Sequence, residues 1–111
     1  MSAVSYVVTV YNKAPYLADL IACLKAQRGD FAREYIFVDD GSKDDSVATL
    51  RRLTADWPHT HILERANGGQ AKATNVGLRA ARHPLIKLVD ADDLLHADCT
   101  LRLIMAMAAH P

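Results

Sequence analysis

Cysteine, net charge and long apolar runs are what this sequence of 111 residues has least of, and each shortage excludes something. The two cysteines, Cys23 and Cys99, lie far apart in stretches that read as helices, so neither a disulfide framework nor a zinc cluster is indicated. Two buried free thiols in a reducing compartment are expected instead. Thirteen Lys and Arg balance thirteen Asp and Glu, which leaves no overall field to draw the chain onto nucleic acid or an anionic membrane. An anionic ligand must therefore be held by local groups. No apolar run reaches the length of a membrane span, and Met1-Ser2-Ala3-Val4 has no basic n-region, so neither a signal peptide nor a membrane segment is expected. The location is read as cytoplasmic, and internal repeats and low-complexity segments are missing.

What is present is an apolar half, 50% of the residues, enough for one core and one domain. Val4 to Val10 is a nearly unbroken apolar and β-branched run, the pattern of a strand covered on both faces. Pro15 then opens a helix at its first turn, with Leu17, Leu20, Ile21 and Leu24 along one face. A second strand is predicted over Glu34 to Val38. Ser42 followed by Asp45 resembles a capping box for a helix of about a dozen residues. His61-Ile62-Leu63 reads as a third strand after the Trp57-Pro58 break, Asn67-Gly68-Gly69 as a loop, and Gln70 to Arg82 as a helix. Leu85 to Val89 is a fourth strand, and Leu101, Ile104, Met105 and Ala108 share the face of a last helix. That helix runs into His110-Pro111 without a polar tail, so the natural protein is expected to continue. Strands alternating with helices imply an α/β fold, a Rossmann-like parallel sheet of about four strands with flanking helices, whose ligands collect beyond the carboxyl ends of the strands.

Three polar segments follow directly on apolar strands: Thr9-Val10-Tyr11-Asn12, Asp39-Asp40-Gly41-Ser42 and Asp90-Ala91-Asp92-Asp93. All three should meet at one sheet edge. A helix cap explains any one of them about as well as a functional role does, but three together are harder to explain that way. Carboxylates as close in sequence as Asp90, Asp92 and Asp93 repel one another unless a cation or hydrogen-bond donors neutralise them. Oxygen ligands at this density suit Mn2+ or Mg2+, which complete their shells from phosphate and water. The bland reading has Asp93 or Asp90 capping the last helix while the others face solvent.

Asp39 and Asp40 form a second acidic pair, able to accept from a ribose hydroxyl or a base imino group, while Gly41 supplies turn geometry. Ser42 reads as a cap rather than a nucleophile, since no His occupies a strand end to activate it. The amides around Gly69 at a helix start offer donors to a diphosphate, with Lys72 adding charge, and Asn75, a poor helix former, is given a hydrogen-bonding task. The histidines at positions 59, 61, 83, 96 and 110 lack zinc spacing and read mostly as surface residues. His96, closest to the acidic cluster, is a candidate third metal ligand.

Together these segments resemble the family 2 glycosyltransferases, inverting enzymes of the GT-A fold. The likeness runs in order through Val8-Thr9-Val10-Tyr11-Asn12, Val38-Asp39-Asp40-Gly41-Ser42-Lys43-Asp44, Asn67-Gly68-Gly69, Asn75-Val76-Gly77-Leu78 and Leu88-Val89-Asp90-Ala91-Asp92-Asp93. It implies that residues 1–111 are the nucleotide-sugar-binding part of such a domain, with the acceptor-binding part absent. The implied donor is a nucleotide sugar, often a UDP-sugar, with Mn2+ or Mg2+ bridging its diphosphate to the Asp-x-Asp motif. Thr9 and Tyr11 correspond to the uracil-cradling strand end, Asp40 with Asp39 to the acceptor for the base imino group, Asp92 or Asp93 to the direct metal ligand, and Asp90 to the group nearer the ribose or sugar. Thr74 stands where the family often has Arg, and Lys72 is assigned its charge. The general base is expected beyond residue 111. The acceptor, a glycan or lipid-linked hydroxyl, is not specified, and a peripheral position at the inner membrane face is implied for the longer protein.

A phosphorelay receiver, with an acidic pair after its first strand and a phosphoacceptor Asp after its third, fits poorly, because here the first strand ends in Tyr11-Asn12 and the third is followed by Glu64-Arg65. A dinucleotide-binding oxidoreductase needs a glycine-rich turn where Asn12-Lys13-Ala14-Pro15 stands. The remaining alternative is a non-catalytic nucleotide-binding fragment or degenerate domain acting in an assembly, with self-association through an exposed sheet edge.

Overall fold

The computed structural model describes residues 2–109. The β-branched runs become four strands, β1 (Ala3–Val10), β2 (Ala32–Asp39), β3 (Thr60–Glu64) and β4 (Leu85–Asp90). They alternate with the helices α1 (Ala14–Lys25), α2 (Ser46–Leu53), α3 (Gln70–Ala80) and α4 (Cys99–Ala109). All pairings are parallel and the sheet order is β3-β2-β1-β4. The chain thus builds outward from β1 to β3, then crosses back through α3 to the other side of β1. The reversal makes a topological switch point between β1 and β4, where open α/β sheets hold ligands.

Both faces of β1 are buried, which is why its sequence does not alternate. Val4, Tyr6, Val8 and Val10 pack with Leu17, Leu20, Ile21 and Leu24 of α1, and with Phe37 and Leu50. Val7, with Ile36 and Val38, packs on the opposite face against Ala73 of α3. Each such buried Leu, Ile, Phe or Val contributes about 1.5–3 kcal/mol relative to leaving it exposed. Gly77 lets α3 lie close to the sheet, since a Cβ there would come within 2.3 Å of Val7 Cγ1.

Three expectations are corrected. The helix after the second strand is α2, eight residues starting at Ser46. Neither member of the expected capping box caps it, because Asp45 makes no capping bond and the Ser42 hydroxyl donates instead to Asp39 Oδ1 at 2.6 Å. Cys23 and Cys99 are free but only half-buried. The face expected of α4 is only partly buried: Leu101 and Ile104 are half-buried and Ile104 packs against the core, whereas Met105 is 62% exposed and Ala108 is exposed, and Thr100 is the helix's fully buried residue.

A polar cluster joins the packing of Ile104 in holding α4. Gln27 Nε2 donates to the carbonyls of His96 (2.8 Å) and Cys23 (3.3 Å), so its Oε1 is free to accept the Thr100 hydroxyl at 2.8 Å. The Thr100 proton being used there, the Tyr6 hydroxyl donates to Thr100 Oγ1 at 2.7 Å. Burial raises the Tyr6 pKa, against the lowering effect of its bond to Thr100. No described helix is long and apolar enough to cross a membrane. His59 and His61 are exposed as expected and His83 is half-buried, whereas His110 lies outside the described residues.

Candidate functional site

Register brings the three polar segments together. Thr9 pairs with Asp90 and Val10 with Asp39, so β1, β2 and β4 end level. Beyond them opens a cleft of about 520 Å³ whose lining includes Thr9, Tyr11, Asp40, Gly69, Asp90 and Asp92, all expected at the site. Lys13, Asn67, Gln70 and Ala73 join them. Asp93 lines an adjoining hollow of about 160 Å³ with Thr9, Thr74 and Asp90. Asp39, Lys72 and Asn75 line neither. Lys72 and Asn75 are exposed on α3, whose buried positions are Ala73 and Gly77.

The β1 and β2 side of the cleft is tied together by its own side chains. Asn12 takes a left-handed backbone (φ 52°), which Asn tolerates better than most residues. Its N–H donates to Ser42 Oγ at 2.9 Å, while its Oδ1 accepts from Lys43 N–H at 2.7 Å. Asp39 is 3% exposed and accepts from both the N–H (3.0 Å) and the hydroxyl of Ser42. The start of α1 has no side-chain cap of its own; Lys13 N–H donates to Ser46 Oγ at 3.0 Å and Ala14 N–H to Asp44 Oδ2 at 3.2 Å. Burial works to raise the Asp44 pKa, but bonds from the Ser46 hydroxyl and the Ser46 and Ala14 amides outweigh it and hold the carboxyl below its usual value.

Asp40 does the same for the next loop. It is 4% exposed, and its Oδ1 accepts from Gly68 N–H at 3.0 Å and its Oδ2 from Gly69 N–H at 2.9 Å. Asn67 Nδ2 donates to the Asp40 carbonyl at 3.0 Å, and Arg65 Nε lies 3.3 Å from Oδ1. The Gly68 and Gly69 amides, expected to face a diphosphate, are therefore directed to a carboxylate of the chain itself. Gly41 permits this approach: its φ is 75° and a Cβ there would stand only 2.6 Å from Asn67 N, so no larger residue fits without displacement.

The β4 side differs. Asp90, Asp92 and Asp93 are all exposed and each offers a carboxylate oxygen, these atoms lying within 4.8 Å of one another. A turn gathers them, with Asp93 N–H donating to the Asp90 carbonyl and Asp90 N–H to Asp93 Oδ2, both at 3.0 Å. Gln70 Nε2 donates to Asp90 Oδ1 at 2.9 Å, and Lys13 Nζ stands 3.3 Å from Asp92 Oδ2. The oxygen-only donor set and the ammonium already drawn to it fit a hard divalent cation that keeps few protein ligands. His96 is outside this cluster: its Nδ1 accepts from Asp98 N–H at 3.1 Å.

Sequence reasoning missed Lys13, Gln70 and Arg65. Lys13 had a usable signal, a cation in the short turn between the first strand and the first helix, whereas the pairing of Arg65 with Asp40 depends on how the third strand's loop folds back.

The family model described as Glycosyl transferase family 2 matches residues 5–111. Among curated relatives, a hyaluronan synthase of Pasteurella multocida is 35% identical over 79% of this chain and 9% of its own length. A chondroitin synthase of Escherichia coli is 32% identical over 83% of this chain and 14% of its own. The fold matches a mannosyltransferase from Pyrobaculum calidifontis in complex with GDP-Man and Mn2+ (TM-score 0.84, 29% identity, 97% of this chain and 32% of that one). It also matches S. aureus TarS in complex with UDP (TM-score 0.82, 26% identity, 98% and 32%). The fold is thus that of GT-A glycosyltransferases. The chain spans only 9% to 26% of the length of relatives such as the hyaluronan synthase and an Escherichia coli glycosyltransferase, YibD.

Proposed function

The chain belongs to glycosyl transferase family 2, and from that membership we propose that residues 1–111 are the donor-binding part of an inverting glycosyltransferase that uses a UDP-sugar. The observation carrying this reading is the convergence of Thr9, Tyr11, Asp40, Asp90 and Asp92 on one cleft at the β1/β4 switch point. The uracil lies along Thr9 and Tyr11 against the Asp40 wall, and Asp39 acts through Ser42 by fixing that wall. Asp90 faces the ribose or sugar. Asp92 and Asp93 would hold Mn2+ or Mg2+ against the donor's diphosphate, while Gly69 lines the cleft with its N–H already given to Asp40. Lys72 and Asn75, exposed on α3, are given no contact in this reading.

When bound, the cation offsets charge developing on the departing nucleoside diphosphate. The chain's own groups bind and orient: the β1 and β2 loops set the nucleoside's position, and the carboxylates of β4 set the cation's. We assign acceptor recognition and the proton-accepting carboxylate to chain outside this segment, the acceptor being a glycan or lipid-linked hydroxyl in cell-envelope polysaccharide synthesis at the cytoplasmic face of the membrane. The support is the small share of each relative's length that this segment spans. The free edge of β4, where Ile86 and Leu88 are 41% and 56% exposed, is where the isolated segment would self-associate, and a monomer at every concentration in sedimentation would remove that expectation.

Calorimetry tests the donor reading. UDP should bind more tightly with Mn2+ than without, and more tightly than GDP, while no sugar is transferred by the segment alone. Preference for GDP would overturn the uridine assignment, and transfer to any acceptor would overturn the division of labour.

A further inference from the structure

We propose that Lys13 is a mobile counter-ion that pairs with Asp92 while the cation site is empty and moves to the donor's diphosphate when the site is loaded. This rests on the donor reading above and adds to it a residue that changes partner. Among the described residues lining the cleft, Lys13 is the only Lys or Arg. Its backbone is fixed, with the N–H held by Ser46 Oγ at 3.0 Å and the preceding Asn12 locked in its turn. Its side chain is not fixed in the same way: it is 36% exposed, steadied by the Tyr16 ring at 5.5 Å, and ends 3.3 Å from Asp92 Oδ2.

The charges determine the sequence of events. One ammonium undercompensates the three gathered carboxylates, Asp90, Asp92 and Asp93, so the cluster keeps a net negative charge that favours a divalent cation over the single ammonium. A divalent cation held by Asp92 would compete with Lys13 for the same carboxylate, and the two like charges would repel at such a separation. The released ammonium remains tethered at the start of α1, inside the same cleft. The diphosphate is then the uncompensated anion within its reach, and a Lys ammonium suits it as a compact point charge.

The test is a pair of titrations on the chain with Lys13→Gln and Lys13→Arg, read by calorimetry without any activity assay. With no nucleotide, Lys13→Gln should bind Mn2+ about threefold more tightly than the unaltered chain, because a competing exposed ion pair is gone. At saturating Mn2+ the same variant should bind UDP about tenfold more weakly, the loss of one charge-assisted contact. Lys13→Arg should restore UDP binding to within about threefold. Opposite movement of the two affinities is the signature, and a purely structural Lys13 would not give it. If the unaltered chain binds both ligands but Lys13→Gln changes neither affinity, or lowers both, the counter-ion role is overturned and the donor reading stands. If the unaltered chain binds neither Mn2+ nor UDP, both fall.

Discussion

Asp39 and Asp40 on one side of the cleft are 3% and 4% exposed and surrounded by donors, whereas Asp90, Asp92 and Asp93 on the other side are exposed and crowd one another. The same residue type serves opposite ends. On the β2 side, amides and hydroxyls of neighbouring loops satisfy each carboxylate, and the charge is used in holding the wall. On the β4 side, repulsion among the carboxylates is only partly relieved by Gln70 and Lys13, and the remaining charge is available to a cation. A buried carboxylate with its donors present is stabilising, and removing it strands those donors; an exposed cluster of carboxylates contributes little to the fold.

That contrast is broken first by Asp40→Ala. Gly68 N–H, Gly69 N–H and Arg65 would lose their partner, and we expect a loss of about 2–4 kcal/mol in urea unfolding together with loss of UDP binding. Next comes Gly41→Ala, which places a methyl group against Asn67 and forces a positive φ; about 1–3 kcal/mol should be lost by the same measurement. Unchanged urea midpoints in both variants would remove the claim that this wall is built by its own bonds. Asp92→Asn should do the reverse, with stability within about 0.5 kcal/mol of the unaltered chain and the Mn2+ dependence of UDP binding abolished.

Acid sharpens the comparison further. Asp44 and Glu34 both have pKa values below their usual 3.8 and 4.5. For Glu34, burial opposes the shift, and bonds from Ser5 and the Arg82 amide with the charges of His83 and His61 produce it. A carboxyl whose pKa is depressed by folding contributes stability above its unfolded value, and that contribution disappears as pH falls through the folded value. Thermal midpoints should therefore hold down to the region of those usual values and fall below it, with a smaller fall in Asp44→Asn. An identical acid profile in that variant would remove Asp44 from the explanation.

Much of the fold was legible because both faces of β1 and β2 are buried and their sequences are correspondingly unbroken. The convergence at the cleft followed from parallel strands ending in polar residues. What the sequence did not disclose was which polar groups are already used. Gly68 and Gly69 look like a ready anion site until the loop folds onto Asp40, and Ser42 looks like a cap until Asp39 and Asn12 claim its hydroxyl. Lys72 and Asn75 fall outside the cleft for a different reason: the helix start is recognisable, but the rotation that puts Ala73 and Gly77 against the sheet leaves both exposed. On α4 the apolar pattern suggested a core face of four residues, whereas Ile104 alone of them packs against the core and the helix is also fixed by Thr100 through Gln27 and Tyr6.

The most direct test of the divided cleft is Mn2+ binding followed by electron paramagnetic resonance, with and without UDP. Because coupling between two ligands is reciprocal, UDP should tighten Mn2+ binding as much as Mn2+ tightens UDP binding, and Asp92→Asn should erase the effect while the protein stays folded. Mn2+ that remains free at every UDP concentration, or an Asp92→Asn chain that binds it as the unaltered chain does, would contradict the assignment of the β4 carboxylates to a cation.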